Sequence, residues 1–254
     1  MTTAKYSKTT HNGRDVRVIE ADSESISVVK IGGSVLNSNN YGVNGTFFNS
    51  SNDFLGIAVN NDTGVGGNAT FNAYGQKQRG TFYCYRDLRS GNRVHDVANV
   101  KKVEDFPISP NMKLFAIGGL NLYVNENITE QEFYRRLDVN EQASGINNVI
   151  NKSGSTYSSP GLRARTAIGY SYTINKVVLV VFQNETPWGM RQFMKNKGCA
   201  MAVYLDGGGS SQMRYSGQTT GAFDPENDNR TVFKMIRVNP HLLQTTFLFL
   251  CSGL

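Results

Sequence analysis

A strand–helix–strand pattern in the last third of the chain constrains the fold more than any other feature of the sequence. Lys176–Phe182 is a continuous apolar run, which is typical of a strand covered on both faces. Thr186 then offers an N-cap, and a proline opens the helix predicted over Pro187–Lys197. A second apolar run, Ala200–Leu205, completes a β–α–β unit at 176–206, whose two strands are expected to be parallel.

The rest of the chain predicts more strands than helices. A capping box at Thr129–Glu132 opens one further helix that is expected to reach Leu137, and the polar stretch 140–160 is predicted to be a long loop. We therefore expect an α+β or α/β fold with a mixed β-sheet core, few helices and a single domain over residues 1–254. The strands predicted before residue 100 are Val16–Glu20, Ser25–Ile31, Phe54–Val59 and Thr81–Tyr85.

The charge balance of the chain favours anionic partners. Its 26 Lys and Arg residues exceed the 20 Asp and Glu residues, which gives a net charge of +6. Such an excess attracts phosphates, nucleic acids or acidic polymers, and the alternative is that it is ordinary surface charge that keeps the protein soluble. Lys and Arg form no long run, so we expect no nucleic-acid partner. No apolar stretch has the length of a membrane span, so we expect no membrane partner either.

The cysteines and histidines show no spacing that is typical of a metal site. The cysteines are widely separated, so we expect buried free thiols rather than a zinc or redox pair. The histidines lack zinc-ligand spacing, and we expect them at surface or loop positions. These residues are Cys84, Cys199, Cys251, His11, His95 and His241. We therefore predict no metal site.

A glycine run follows the second apolar strand. Asp206-Gly-Gly-Gly-Ser210 lacks the Gly-Lys-Ser/Thr ending of a Walker A loop, but successive glycines let backbone N–H groups converge on an anion. Ligands of open α/β sheets bind at the carboxyl ends of strands, so a site is expected here. An ionised Asp206 only accepts hydrogen bonds, so it would face a sugar hydroxyl, a water, a metal or an anomeric carbon. The alternative is a tight turn that Asp206 caps.

Two further segments combine polar groups with strand ends. They are Val43-Asn-Gly-Thr-Phe-Phe48 and Arg165-Thr-Ala-Ile-Gly169. The guanidinium of Arg165 suits bidentate phosphate binding, with Arg163 as a neighbouring competitor and a surface salt bridge as the alternative. Asn44 lies where a strand meets a turn, so its amide would bond either its own backbone or a sugar hydroxyl.

Together these segments resemble the motifs of the phosphodiester glycosidase family. The family patterns are an Asn-Gly-Gly-Phe-Phe-like segment, an Arg-Thr-Ala-Ile-Gly-like segment, and a segment that begins with Gly-Cys and ends in Leu-Asp-Gly-Gly-Gly-Ser. The last appears here over Gly198–Ser211, and Gly118-Gly119 also looks like a family feature. Thr46 departs from the pattern, which usually has Gly there. The resemblance extends from about Tyr41 to about Val238.

The resemblance implies hydrolysis of a sugar 1-phosphodiester, with a sugar phosphate or a glycopolymer as the substrate. It assigns catalysis to Asp206, Arg165 and Asn44. Asp206 would be the nucleophile or the general base, and Arg165 would stabilise the departing phosphate together with the glycine loop. Glu185 is a second candidate for a catalytic carboxylate. The alternative is that its negative charge only stabilises the N-terminus of the helix that follows. The residues expected to bind phosphate or substrate are Gly118, Gly119, Thr166, Gly207, Gly208, Gly209 and Ser210.

No cofactor is expected. A divalent cation could bind at Asp206, but no other residue in the sequence indicates a cation site. Two other functions fit the sequence: a carbohydrate-binding module, on a phage tail for example, and a phosphodiesterase that acts at phosphorus. Phosphodiesterases usually carry His and Asp metal clusters, which the sequence lacks.

Met1–Thr10 has no apolar leader, so we expect cytoplasmic synthesis and a bacterial or phage protein, or an excised domain.

Overall fold

The fold is mainly antiparallel β-sheet. The computed structural model describes residues 4–31, 33–49, 51, 53–108 and 113–221, and the backbone alone of 233–238. Strands make up 46% of it and helical residues 17%. Within these described ranges every pairing between strands is antiparallel. The predicted α+β or α/β fold with a mixed core is therefore wrong.

A six-stranded sheet lies at the centre of the molecule. In order across the sheet, its strands are β1 (Ala4–His11), β2 (Arg14–Ala21), β14 (Lys176–Glu185), β13 (Arg163–Ser171), β15 (Cys199–Tyr204) and β10 (Leu120–Asn121). The two apolar strands of the predicted β–α–β unit, β14 and β15, each pair with β13 rather than with each other. Because β13 is antiparallel to both, β14 and β15 run in the same direction, as predicted, but they are not neighbours. A continuous apolar run indicates that both faces of a strand are covered, and it does not indicate which strand pairs with it.

Two five-stranded sheets and a hairpin complete the strand inventory of the described residues. The first sheet contains β17 (Gln218–Gly221), β16 (Gln212–Tyr215), β4 (Tyr41–Asn44), β18 (Phe233–Val238) and β3 (Ile26–Ile31). The second contains β6 (Thr63–Gly64), β5 (Ala58–Asn60), β9 (Lys113–Gly118), β7 (Arg79–Arg86) and β8 (Arg93–Val100). Of the early strand predictions, only Phe54–Val59 falls largely outside a strand, because β5 begins at Ala58.

Both faces of the central sheet are buried. On one face, Ile168 and Leu179 belong to an apolar cluster that includes side chains of both five-stranded sheets, such as Val43 and Phe82. The other face packs on the two α-helices, α1 (Glu130–Val139) and α2 (Pro187–Asn196). Its cluster includes Ala167, Val180, Phe133, Leu137 and Met190. Burial of a large apolar side chain contributes about 1.5–3 kcal/mol, so these two layers fix the sheet in place.

Both helices begin at the predicted N-cap, but the capping box at Thr129–Glu132 is only half formed, because the Glu132 carboxylate bonds Arg135 and Arg136. The Thr129 side chain accepts a hydrogen bond from the Glu132 N–H at 3.2 Å, and Thr186 accepts one from the Gly189 N–H at 2.9 Å. The stretch 140–160 was expected to be one loop, but it contains a hairpin of β11 (Asn151–Ser153) and β12 (Thr156–Ser158). In the described part of the chain, no helix is long and apolar enough to cross a membrane.

The cysteines follow the prediction and one histidine does not. Cys84 and Cys199 are buried free thiols, while Cys251 and His241 lie outside the described residues. His95 was expected at the surface, yet it is 3% exposed and stacks on Tyr170 with 3.8 Å between ring centroids. Burial lowers the pKa of His95 to about 4, so this ring is neutral and packs as an aromatic group.

Candidate functional site

A cleft of about 430 Å³ opens beside the carboxyl end of β15. Its lining combines apolar side chains, glycine backbone and a small set of charges. The charged residues are Asp206 and three arginines, so the lining carries one negative and three positive groups. The lining residues are Phe47, Phe48, Leu55, Arg79, Gly145, Ile146, Asn147, Asn148, Arg163, Arg165, Tyr204, Asp206, Gly207, Gly208 and Gly209. Such a cleft favours an anion that also presents an apolar face.

Asp206 is held at the cleft by bonds to its backbone. Its N–H donates to the Gly45 carbonyl at 3.1 Å, and its carbonyl accepts from the Asn44 side-chain amide at 2.8 Å. The Gly207 N–H donates to Oδ1 of the Asp206 carboxylate at 2.9 Å. This N–H was expected to bind an anion, and it instead orients the acid.

Asn44 supports Asp206 from behind the cleft. The side chain is 2% exposed and is not among the described residues that line the cleft. Its Oδ1 accepts the Thr166 hydroxyl at 2.7 Å and the Gln212 N–H at 3.1 Å. Together with the bond to the Asp206 carbonyl, these contacts tie β4, β13 and β16 to the glycine loop. The geometry therefore gives Asn44 and Thr166 a positioning role.

Arg165 lines the cleft, but its donors are largely bonded to the protein. The side chain is 1% exposed. Nε donates to the Glu185 carbonyl at 3.1 Å, and Nη1 donates to the Asn148 carbonyl at 2.7 Å and to the Tyr204 hydroxyl at 2.6 Å. Nη2 donates to the Gly161 carbonyl at 3.3 Å. A guanidinium has five N–H donors, so little of the predicted phosphate fork is left.

The Tyr204 hydroxyl lies between Arg165 and the glycine loop. Burial raises the pKa of Tyr204, Arg165 opposes that rise, and Asp206 adds to it. A Cβ on Gly207 would lie 2.5 Å from the hydroxyl oxygen, so the loop passes too close to Tyr204 for any side chain. Tyr204 was not singled out from the sequence, because it reads there as one residue of an apolar strand.

Gly118 and Gly119 lie beneath the cleft, and the described lining does not include them. A Cβ on Gly119 would lie 2.2 Å from the Tyr204 carbonyl oxygen. A similar contact occurs at Gly80, where a Cβ would lie 2.3 Å from the Asn121 backbone nitrogen. Ser210 is also buried outside the lining, whereas Gly207, Gly208 and Gly209 reach it. Gly119 therefore lets its backbone pass directly against that of Tyr204, a residue of the cleft lining.

Arg79 is a cleft residue that the sequence did not indicate. It opens β7 and is 5% exposed, and its Nε and Nη1 are buried without a hydrogen-bond partner among the described residues. Burial lowers the pKa of Arg79, and the charge of Glu141 opposes that change. Arg79 belongs to no recognisable sequence motif, so the sequence alone does not distinguish it from the other arginines.

Glu141 is fully buried near Arg79 but is bonded to other groups. Oε2 accepts the Gly80 N–H at 2.6 Å and the Asn121 N–H at 3.0 Å, and Oε1 accepts the Tyr123 hydroxyl at 2.9 Å. Burial raises the pKa of Glu141 to about 7, against the lowering effect of these bonds and of Arg79. This carboxyl therefore titrates near neutral pH inside the protein.

Glu185, the second carboxylate considered from the sequence, is not among the described residues that line the cleft. Its Oε1 accepts the Thr186 N–H at 2.9 Å and lies 3.6 Å from Nη1 of Arg14, and its Oε2 accepts the Asn12 amide at 3.3 Å. It thus stands at the start of α2. Among the described residues, Asp206 is the one carboxylate of the lining, and no three His, Cys, Asp or Glu side chains converge as metal ligands would.

Solved structures share this fold. The catalytic domain of zebrafish N-acetylglucosamine-1-phosphodiester alpha-N-acetylglucosaminidase, auto-inhibited by its pro-peptide, matches with a TM-score of 0.57 and 17% identity. The match covers 95% of this chain and 83% of the zebrafish chain. A protein from Burkholderia pseudomallei matches with a TM-score of 0.50 and 13% identity, over 88% of this chain and 74% of its own. No curated protein sequence matches the chain.

A family model matches the sequence across the whole cleft. The model described as phosphodiester glycosidase aligns with residues 37–239. That range is more than half of the 254 residues and contains every residue of the cleft lining. It also contains Asn44 and the motifs that begin at Arg165 and Asp206. The chain therefore belongs to the phosphodiester glycosidase family.

Proposed function

We propose that the chain hydrolyses a glycosyl 1-phosphodiester at the bond between the anomeric carbon and the phosphate oxygen. The observation that supports this most is the charge arrangement of the cleft, where Asp206 is the one carboxylate beside three arginines. A carboxylate repels a phosphate, but it stabilises or attacks the electron-poor anomeric carbon. Arginines favour the phosphate itself. The negative charge therefore suits the anomeric carbon of the scissile bond, and the positive charges suit the phosphate.

The reaction needs one water and leaves two products. The water oxygen bonds to the anomeric carbon, the carbon–oxygen bond to phosphate breaks, and its electron pair stays on the phosphate oxygen. Asp206 either takes the proton of the attacking water or attacks the carbon first and is then released by water. The products are a free sugar and a phosphate monoester.

The leaving group explains why one carboxylate is enough. Most glycosidases use a second carboxylic acid to protonate the departing alcohol. A phosphate monoester has a second pKa of about 6, so it departs without a strong general acid. The described cleft residues include one carboxylate, which fits this chemistry.

The apolar part of the lining suits a sugar ring. Phe47, Phe48, Leu55 and Ile146 all contribute to the cleft. Phe47 is fixed edge-on against Tyr204, with 5.9 Å between ring centroids. Aromatic and aliphatic side chains pack against the C–H faces of sugars, so this surface would hold the glycosyl group beside Asp206.

Hydrolysis in ¹⁸O-labelled water tests the proposed bond cleavage. A panel of sugar 1-(methyl phosphates) is incubated with the protein, and the products are analysed by mass spectrometry. We expect the label in the sugar and methyl phosphate without label. Label in the phosphate would mean attack at phosphorus and would support a phosphodiesterase instead. Tight binding of the panel without any product would support a carbohydrate-binding module.

A further inference from the structure

We propose that Arg79, and not Arg165, is the arginine that binds the phosphate of the substrate directly. The identity of the anion rests on the proposed function, whereas the choice between the arginines rests on their hydrogen bonds. Both residues line the same cleft and both are almost fully buried. What separates them is the number of donors that the protein already uses.

Arg165 is a positioning residue by this criterion. Its guanidinium donates to the carbonyls of Glu185, Asn148 and Gly161, and to the hydroxyl of Tyr204. These acceptors come from the end of β14, the segment after α1, the segment before β13 and the end of β15. A phosphate that took over these donors would leave several buried acceptors unpaired, at a cost of about 1–3 kcal/mol each.

Arg79 has the opposite arrangement. Nε and Nη1 are buried and make no hydrogen bond within the described part of the chain. Among the described residues no ion pair involves Arg79. The oxygens of the nearby Glu141 instead accept from backbone N–H groups and from the Tyr123 hydroxyl. A buried cation with unused donors is unfavourable unless an anion completes it. A phosphate in the cleft supplies that anion.

The backbone around Arg79 is fixed before any ligand arrives. Gly80 packs directly on the Asn121 backbone, and its N–H is held by Glu141 at 2.6 Å. The charge of Glu141 also acts on Arg79 without occupying its donors. A guanidinium held in this way loses little entropy when it binds, which is the property of a preorganised anion site.

Arg163 provides a matched control for the loss of one positive charge. It also lines the cleft, but it is exposed, so solvent screens its charge. If the cleft merely attracts anions through its net charge, then Arg79→Met and Arg163→Met should weaken anion binding equally. If Arg79 contacts the phosphate, the two variants should differ.

Binding of inorganic phosphate by titration calorimetry at constant ionic strength separates these cases. We expect Arg79→Met to weaken binding at least tenfold, which is the lower range for a lost charge-assisted hydrogen bond. Arg163→Met should weaken it about threefold or less. Phosphate binding needs no turnover, so this result stands even if the chain proves to cleave a different bond. Equal binding by the wild type and Arg79→Met would overturn the proposal.

Thermal unfolding supplies a second readout that a structural arginine would not give. We expect Arg79→Met to melt at or above the wild-type temperature without phosphate, because an unpaired buried charge is removed. Phosphate should raise the melting temperature of the wild type and not that of Arg79→Met. A variant that unfolds several degrees early and still responds to phosphate would assign Arg79 to the scaffold and refute the inference.

Discussion

Two parts of the cleft use the same residue type in different ways. On the sheet side, formed by β13, β15 and the loop Asp206–Gly209, the donors of Arg165 meet protein acceptors. On the β7 side, Arg79 keeps two buried nitrogens without partners among the described residues. The motif residue is thus the more structural of the two. An arginine's role in a site follows from how many of its donors the fold already uses, not from the motif that contains it.

Asp206→Asn tests whether the sheet side of the cleft carries the reactive group. The substitution keeps the shape and removes the charge, so turnover of a sugar 1-phosphodiester should fall by roughly 10³–10⁴-fold. The melting temperature should hardly change, because the amide oxygen still accepts from the Gly207 N–H. Near-normal kcat in the folded variant would show that Asp206 only caps its turn.

Arg165→Lys tests whether the sheet side depends on a saturated guanidinium. An ammonium has three donors and no planar fork, so it cannot serve four acceptors from separate segments. We expect a loss of about 3 kcal/mol in the free energy of unfolding. Urea titration measures this, with Arg163→Lys as the exposed control. Unchanged stability in Arg165→Lys would remove the distinction between the two sides.

Asn44→Asp tests whether Asn44 positions Asp206 through the hydrogen bond to the Asp206 carbonyl. Aspartate still accepts from Thr166 and Gln212, but it cannot donate to the Asp206 carbonyl and it adds a charge behind the loop. We expect kcat to fall about 10- to 100-fold with a smaller change in KM, as displacement of a reacting group does. A variant in which KM alone rises would place Asn44 in contact with substrate instead.

Glu141→Gln tests the electrostatics of the β7 side through pH. The pKa of Glu141 is about 7 in the fold and 4.5 as the ordinary value, so the folded state binds the extra proton between these pH values. Wild-type stability should therefore fall as pH rises through this window, by about 1 kcal/mol between pH 5 and 6. The glutamine variant should lack this slope.

The difference between wild type and Glu141→Gln is the quantity to measure. His95 has a pKa of about 4 in the fold, below its ordinary 6.5, so it contributes a slope of the opposite sign below pH 6.5. That contribution is common to both proteins and cancels in the difference. Chemical unfolding at four pH values between 4.5 and 7.5 gives both curves. Parallel curves would mean that Glu141 does not titrate in this range.

The sequence predicts local features well where a few neighbouring residues determine them. The caps at Thr129 and Thr186 need only the residues within one helical turn, and both are present. The loop at Asp206 follows from a buried strand that runs into three glycines, and it does reach the cleft. The family was also identified correctly, because its motifs are long and occur in the family's order.

The sequence fails where the outcome depends on distant partners. The neighbour of β14 was not predicted: β13 pairs between β14 and β15, so these two strands run in the same direction as expected but are not adjacent. Their apolar runs do not encode which strand lies between them. His95 is buried by Tyr170, which lies 75 positions further along the chain. Arg79 stands out only when its unused donors are compared with those of Arg165, and that comparison requires coordinates.

The close backbone contacts at Gly80 and Gly119 affect how a mutational scan of this protein should be interpreted. A single added carbon at Gly119 would lie 2.2 Å from a carbonyl oxygen, and one at Gly80 would lie 2.3 Å from a backbone nitrogen. Real Cβ atoms do not approach so closely, so even alanine should abolish activity at both positions. A scan would therefore score these glycines like Asp206, although neither lines the cleft. If the cleft binds a sugar as proposed, variants meant to change its specificity should keep these two glycines and alter the apolar lining around Phe48 and Ile146 instead.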